Sequence, residues 1–137
     1  MGVTVIDADV VIALLNPADA QHRRARRVLT DVLTGIPERV MSAFTLAEIL
    51  VGPLRARDGS EDRVHLTLEG FRIEVLEGTR PRARSAAAVR ARTGARLPDA
   101  FVLAAALEMQ GRQPEPVTVT SFDKRLLATW RDLSRAA

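Results

Sequence analysis

Asp7 and Asp9 follow directly on a short β-branched run, Val3-Thr4-Val5-Ile6, and a second apolar run, Val10-Val11-Ile12, comes next. That order predicts a buried strand that delivers two carboxylates to its carboxyl end, where a helix begins. Three more acids stand at related places. Asp99 opens a nearly all-apolar helical stretch, and Asp123 lies just past the strand-like run 117–120. Glu48 lies about two turns into a helix that starts after Ser42. If these acids converge, the chemistry is that of hard divalent cations. Mg²⁺ and Mn²⁺ take oxygen ligands and keep waters in the remaining positions. In phosphodiester hydrolysis such ions activate a water and steady the leaving oxygen. Crowded carboxylates need either a cation or some retained protons to be tolerated.

Each acid also has a purely structural reading. Asp7 and Asp99 could cap the helices they precede or open. Asp123 could offset a helix dipole, and Glu48 could be an ordinary surface residue. What favours the site is their joint placement, since three of the four sit at strand-to-helix junctions on one side of a parallel sheet. Other chemistries find less support. There is no cysteine, which removes thiolate ligands, Cys nucleophiles and disulfides together. His22 and His65 fall on helices with no relay partner nearby in sequence, and both read as surface or rim residues.

These acids need a scaffold, and the chain has the means to build one. Its 137 residues suit one domain spanning 1–137, and 47% hydrophobic residues suffice for a core. No run has the pattern of a signal peptide or the length of a membrane span, so a soluble, cytoplasmic protein without membrane contact is expected. Strand-like runs at 3–6, 40–41, 71–76 and 117–120 alternate with helical stretches at 7–15, 18–34, 43–55, 61–69, 82–92, 97–109 and from 121 towards Leu133. The alternation predicts an α/β fold: a small, mostly parallel sheet flanked by helices. In the 18–34 helix, Ala25, Val28, Leu29 and Val32 mark the buried face; in the 43–55 helix, Phe44, Ala47, Leu50 and Val51 do so. The alternating run Phe71–Leu76 reads as a strand near a sheet edge. Ligands of such folds bind beyond the carboxyl ends of the strands, where strand order reverses.

Net charge is +3, and Lys124 is the only Lys among twenty basic side chains. Arg suits phosphate because its planar fork donates two hydrogen bonds at once. Six Arg and no acid occupy residues 79–98, and His22-Arg23-Arg24-Ala25-Arg26-Arg27 forms a second cluster. Such clusters fit a polyanion, although an Arg-rich, Ala-rich composition alone would also give solvated basic faces. Arg82, Arg84, Arg90 and Arg92 are candidates for contact with nucleic acid. With four Phe, one Trp and no Tyr, a surface built from stacked aromatics is not expected.

Four segments together resemble the PIN domain, and within it the VapC-type toxins of bacterial toxin–antitoxin pairs. They are Val5-Ile6-Asp7-Ala8-Asp9-Val10-Val11-Ile12-Ala13-Leu14-Leu15, then Ser42-Ala43-Phe44-Thr45-Leu46-Ala47-Glu48-Ile49-Leu50-Val51-Gly52. Next come Leu97-Pro98-Asp99-Ala100-Phe101-Val102-Leu103-Ala104-Ala105-Ala106 and Val119-Thr120-Ser121-Phe122-Asp123-Lys124-Arg125-Leu126. Order, spacing and total length agree over essentially the whole chain. The resemblance implies a Mg²⁺- or Mn²⁺-dependent endoribonuclease acting as a toxin, with Asp7, Glu48, Asp99 and Asp123 as the catalytic, metal-holding acids. It implies Thr45 and Ser121 as polar supports, a homodimer, and an antitoxin that covers the active site. Asp9 departs from the family, where Ser, Thr or Asn is common; its roles as extra ligand, supporting acceptor or helix N-cap stay open, the supporting role being favoured. The family often adds a last short strand, for which Trp130-Arg131-Asp132-Leu133-Ser134 is a poor sequence.

Two alternatives belong to other classes. Asp7-Ala8-Asp9 also resembles the strand end of haloacid-dehalogenase-type phosphatases, but those want a Lys ahead of a late acidic pair, whereas Lys124 follows a single Asp123. A non-catalytic module binding RNA or protein would use the Arg clusters and leave the acids as caps.

Overall fold

The computed structural model describes residues 2–136. Four strands, β1 (Val3–Ile6), β2 (Glu38–Ser42), β3 (Ile73–Leu76) and β4 (Val117–Thr120), form one sheet in the order β3-β2-β1-β4. All three pairings are parallel, so the sheet is wholly rather than mostly parallel among the described residues. β3 is an edge strand, as its alternating sequence predicts. Helices α1 (Ala8–Leu15), α2 (His22–Gly35), α3 (Ala43–Ala56) and α4 (Ser60–Gly70) precede β3, α5 (Arg80–Thr93) and α6 (Leu97–Gln110) carry the chain to β4, and α7 (Lys124–Ala136) ends it.

The sheet separates two cores. Val3, Val5, Val40, Val117 and Val119 pack with α5, α6 and α7, while Ile6, Met41 and Ile73 pack with α1 to α4. Alternate residues of one strand therefore feed opposite faces, and both faces are covered, as buried parallel strands require. α6 is the main support of the first core: Ala100, Val102, Leu103 and Ala106 are fully buried. Its all-round apolar sequence follows from lying against both sheet and helices. Trp130 secures α7 by donating its Nε1–H to the Val117 carbonyl at 2.9 Å. Residues 130–134 are thus helical, and no fifth strand forms among the described residues.

The α3 face differs from the expectation. Its buried residues are Thr45 and Ile49; Phe44, Ala47 and Val51 are exposed and Leu50 is half-buried. The segment is apolar on nearly every side, so its period does not fix its phase. Packing on α4 and α6 does, with Phe44 stacked on Phe101 of α6 at 4.6 Å between ring centres. The turned helix brings Glu48 to the half-buried margin. Pro53 lies within the last turn of α3 rather than ending it, and Arg57 closes the helix in a left-handed conformation.

Some Arg residues serve the fold itself. Arg39 is buried at the start of β2 and donates to the carbonyls of Phe71 and Ile36. Among the described residues no helix is long and apolar enough to cross a membrane.

Candidate metal centre at the strand switch point

Strand order places the site. From β1 the chain moves outward to β2 and β3, then returns through α5 and α6 to β4 on the other side of β1. The reversal lies between β1 and β4, and a crevice opens there beyond their carboxyl ends. Ile6 pairs with Thr120, so the next residues on both strands, Asp7 and Ser121, emerge side by side. The Asp7 amide continues the ladder by donating to the Thr120 carbonyl at 3.0 Å.

Asp7 caps α1: its Oδ1 accepts from the Ala8 amide at 2.7 Å. Its Oδ2 accepts from the Ser121 hydroxyl at 2.8 Å. The capping reading of Asp7 is therefore correct and compatible with a second role, since each oxygen retains lone pairs. Asp9, in the first turn of α1, is not the cap. Its Oδ2 accepts from the Phe122 amide at 3.0 Å and lies 3.3 Å from the Ser121 hydroxyl. Asp9 thus clasps the turn after β4 to the start of α1. Asp123 opens α7, its Oδ1 accepting from the Arg125 and Leu126 amides. The Ser121 oxygen in turn accepts from the Asp123 amide at 3.0 Å. One hydroxyl thereby connects three of the acidic residues.

Charge ties the remaining acids to these. The field of Asp9 and, more weakly, that of Asp99 acts on Asp7; Asp123 acts on Asp9 and on Asp99; Asp99 acts on Glu48. Burial is the largest cause in every case. It combines with the neighbouring charge to push Asp7 from its ordinary 3.8 up to about 6. Asp9, Glu48 and Asp99 are raised for the same reason, partial burial first and a neighbouring carboxylate second among the causes that raise them. Among the described residues, the cation acting on Glu48 and Asp99 is Arg96, whose guanidinium stands 4.0 Å from Asp99 and is 80% exposed.

The donor set fits a hard divalent cation. It is all oxygen and crowded with like charge, and one of its oxygens, Asp9 Oδ1, is buried with no hydrogen-bond partner, as is Thr45 Oγ1 on α3. Buried polar atoms seldom lack a partner, so each calls for an explanation such as an ion. Among the described residues, no three acids stand close enough in this side-chain arrangement to share one ion. Glu48 and Asp99 are half-buried, whereas Asp7 and Asp123 are each held by two hydrogen bonds.

The other candidates divide. Arg82 holds Glu108 through two nitrogens at 3.0 Å and donates to the Glu77 carbonyl, and Arg90 donates to the Ala95 carbonyl. Arg84 and Arg92 line a separate groove with Leu107 and Leu133, which none of the five acids lines. His22 bonds the Ala13 carbonyl at 3.0 Å, and His65 pairs with Glu61 one turn away. Arg24, part of the basic cluster at residues 22–27, lies 4.6 Å over the Phe122 ring, a contact the sequence did not signal. Sequence reasoning also passed over a polar cleft of about 290 Å³ that contains Asp99 and Asp123 together with Arg96 and Arg125. Arg96 could have been noticed three residues ahead of Asp99; Arg125 carried no signal.

A family profile described as PIN domain matches residues 4–135. Comparison with curated proteins gave no match. Among solved structures, the chain is similar to Mycobacterium tuberculosis VapC20, described as a toxin that cleaves the sarcin–ricin loop. Identity is 22%, coverage is 91% of this chain and 93% of that one, and the TM-score is 0.67. It is also similar to FitAcB from Neisseria gonorrhoeae, at 22% identity, 93% coverage of both chains and a TM-score of 0.62. At such identity the likeness carries the fold.

Proposed function

The chain belongs to the PIN-domain family, and from that premise we propose that it is a divalent-metal-dependent endoribonuclease acting as the toxin of a toxin–antitoxin pair. The observation that carries this reading is that Ser121 joins Asp7, Asp9 and Asp123 at the β1/β4 switch point, with Asp99 acting by charge on Asp7 and on Glu48 and with Asp7 raised to about 6. The toxin that VapC20 is described to be, acting on an RNA loop, has the same fold.

Asp7, Glu48, Asp99 and Asp123 would hold Mg²⁺ or Mn²⁺. When bound, the ion supplies an activated water and offsets charge on the cleaved phosphodiester. The chain's own groups do the positioning. Ser121 fixes the Asp7 carboxylate by donating to Oδ2, and its oxygen fixes the start of α7 through the Asp123 amide. Asp9 is a positioning residue that holds the Ser121–Phe122 turn against α1. Thr45, fully buried on α3 one turn before Glu48, supports that helix from within. A proton retained on Asp7 at low pH competes with the cation, so metal affinity falls with acidification.

An antitoxin partner is supported by the surface next to Glu48. A groove of about 490 Å³ runs there past Ile12, Leu15, Ile49, Pro53 and Val64. Ile12, which lines it, is 41% exposed, apolar surface that a partner would cover. A homodimer belongs to the same reading, with exposed Phe44 and Leu97 as apolar surface. The phosphatase alternative finds no support, because the chain lacks the Lys ahead of a late acidic pair that it wants: Lys124, the only Lys, follows a single Asp123.

The test is cleavage of structured RNA by purified protein in Mg²⁺, in EDTA, and with Asp99→Asn. Cleavage that needs the metal and disappears in the variant is expected. Metal-independent RNA binding without cutting would instead make the chain a binding module.

A further inference from the structure

The acids alone repel RNA, so a nuclease of this design needs cationic groups beside them to seat the substrate. The Arg residues of α5 that the sequence favours are only partly free for this, as Arg82 and Arg90 bond the protein. The cleft between the α5–α6 turn and α7 offers two others. Its walls carry Thr93, Arg96, Asp99, Asp123, Arg125 and Thr129, and its volume of about 290 Å³ is on the scale of a small ligand.

Local structure explains why these residues meet. Gly94, at φ +74°, ends α5 in a left-handed turn that a side chain would strain. Ala95 and Arg96 then run straight into α6, so Arg96 lies one turn before Asp99. On the opposite wall Asp123 caps α7 through the Arg125 and Leu126 amides, which fixes Arg125 two residues beyond an acid of the centre. Arg96 and Arg125 are both exposed, and the 4.0 Å separation of Arg96 from Asp99 is too long to engage its fork. Two exposed planar donors, Arg96 only loosely paired with Asp99, therefore flank two carboxylates of the centre in one polar cleft.

Resting on the ribonuclease reading above, we infer that this cleft seats the RNA phosphate adjacent to the scissile one, gripped by Arg96 and Arg125. The grip orients the strand so that the scissile group faces the acids, and it selects a single strand or an unpaired loop, because so small a cleft admits one nucleotide and no duplex.

The experiment measures binding of a fluorescein-labelled single-stranded RNA by anisotropy, in EDTA and over a range of salt, so that no metal takes part. The double variant Arg96→Gln with Arg125→Gln is compared with wild type and with Arg55→Gln plus Arg131→Gln, which removes equal charge from exposed positions outside the cleft. The cleft variant is expected to bind at least about tenfold more weakly at low salt, and its salt slope to flatten by about 1.4 for two lost phosphate contacts. The control is expected to lose less than about twofold. In Mg²⁺, the cleft variant should show a raised KM, with a smaller change in kcat. Equal losses in the two variants would reduce the effect to net charge and overturn the inference. So would a cleft variant that binds RNA as wild type does while only its Mg²⁺ midpoint moves, because Arg96 would then be a counter-charge for Asp99. If wild type cuts RNA and the cleft variant is unaffected, only this inference falls; if wild type neither binds nor cuts RNA, the ribonuclease reading falls and this one with it.

Discussion

Asp7→Asn is expected to make the metal-free protein more stable, and the gain should depend on pH. The carboxyl of Asp7 titrates at about 6 in the fold, against an ordinary 3.8. The folded state therefore holds this proton more tightly than the unfolded chain. Its contribution to stability is fully present below 3.8, is lost as pH rises through 6, and does not change further above that. At about 1.4 kcal/mol per pH unit the loss amounts to about 3 kcal/mol. Asn keeps the geometry without the charge. Its Oδ1 can accept from the Ala8 amide, and its amide group can donate to Ser121, whose own hydrogen can turn to Asp9 Oδ2, 3.3 Å away. Allowing for relaxation, the variant should gain about 1–3 kcal/mol at pH 8 and under about 1 kcal/mol at pH 4. For a domain of this size that is roughly 3–10 °C in melting temperature at pH 8. Thermal melts in EDTA from pH 4 to pH 8 read this directly. Adding Mg²⁺ should reverse the order, since wild type gains about 2.7 kcal/mol at a hundredfold excess over its dissociation constant and the variant gains less. A variant less stable than wild type at pH 8, or a gain equal at both pH values, would refute the argument that burial, with the Asp9 charge second, penalises the ionised Asp7.

Other outcomes follow from single contacts. Asp99→Asn should abolish metal-dependent RNA cleavage and the Mg²⁺-induced rise in melting temperature while the circular dichroism spectrum is unchanged; retained cleavage would remove Asp99 from the centre. Ser121→Ala deletes a hydrogen bond that holds the Asp7 pKa down. It should cost about 1–2 kcal/mol in urea unfolding and shift the acid limb of the pH–rate profile upward; a downward shift would contradict the assigned role. Lowering pH from 7 to 5 should raise the Mg²⁺ concentration needed for half-maximal activity in wild type, and an unchanged requirement would show that Asp7 does not compete between proton and metal. Arg82→Ala should cost about 1 kcal/mol, because its pair with Glu108 is partly exposed and screened, and should leave the salt slope of RNA binding as it was; a flatter slope would return this residue to the RNA surface.

The sequence shows those parts of the site that backbone grammar dictates. An apolar run that stops at Asp7, and another that stops before Asp123, can only place those acids at strand ends. Once β1 and β4 are neighbours the two acids share a crevice. Asp99 is legible because Pro98 and an apolar stretch announce a buried helix start. Glu48 was legible only in part. The apolar residues of α3 cover nearly the whole helix, so the phase that buries Thr45 and Ile49 while exposing Phe44 and Val51 comes from packing on α4 and α6. The role of Asp9 was hidden for a different reason. Its partners, Ser121 and Phe122, lie more than a hundred residues away, and no local rule separates a clasp from a cap. Arg residues were read as surface charge, yet Arg39 and Arg82 complete the hydrogen bonding of the fold, because a guanidinium reaches several carbonyls or both oxygens of one carboxylate at once.

The strand-end centre is also where the chain breaks its own rules. Among the described residues the buried side-chain polar atoms elsewhere are paired, as consistent sequences require. Here the fold instead partly buries neighbouring acids, leaves Asp9 Oδ1 and Thr45 Oγ1 without hydrogen-bond partners, and exposes Ile12 in the groove that Glu48 lines. These departures belong together. The carboxylates destabilise the chain until positive charge is added, and the chain's own Arg96 is too exposed and too distant to supply it. Any ligand that brings a cation into the crevice relieves the same repulsion, whether the cation is Mg²⁺ or a guanidinium carried on a peptide. A peptide that also covered the apolar side chains next to Glu48 would gain from both defects at once. Activity and inhibition would then compete for one electrostatic deficit, and Mg²⁺ should weaken the binding of such a partner in proportion to its occupancy of the acids.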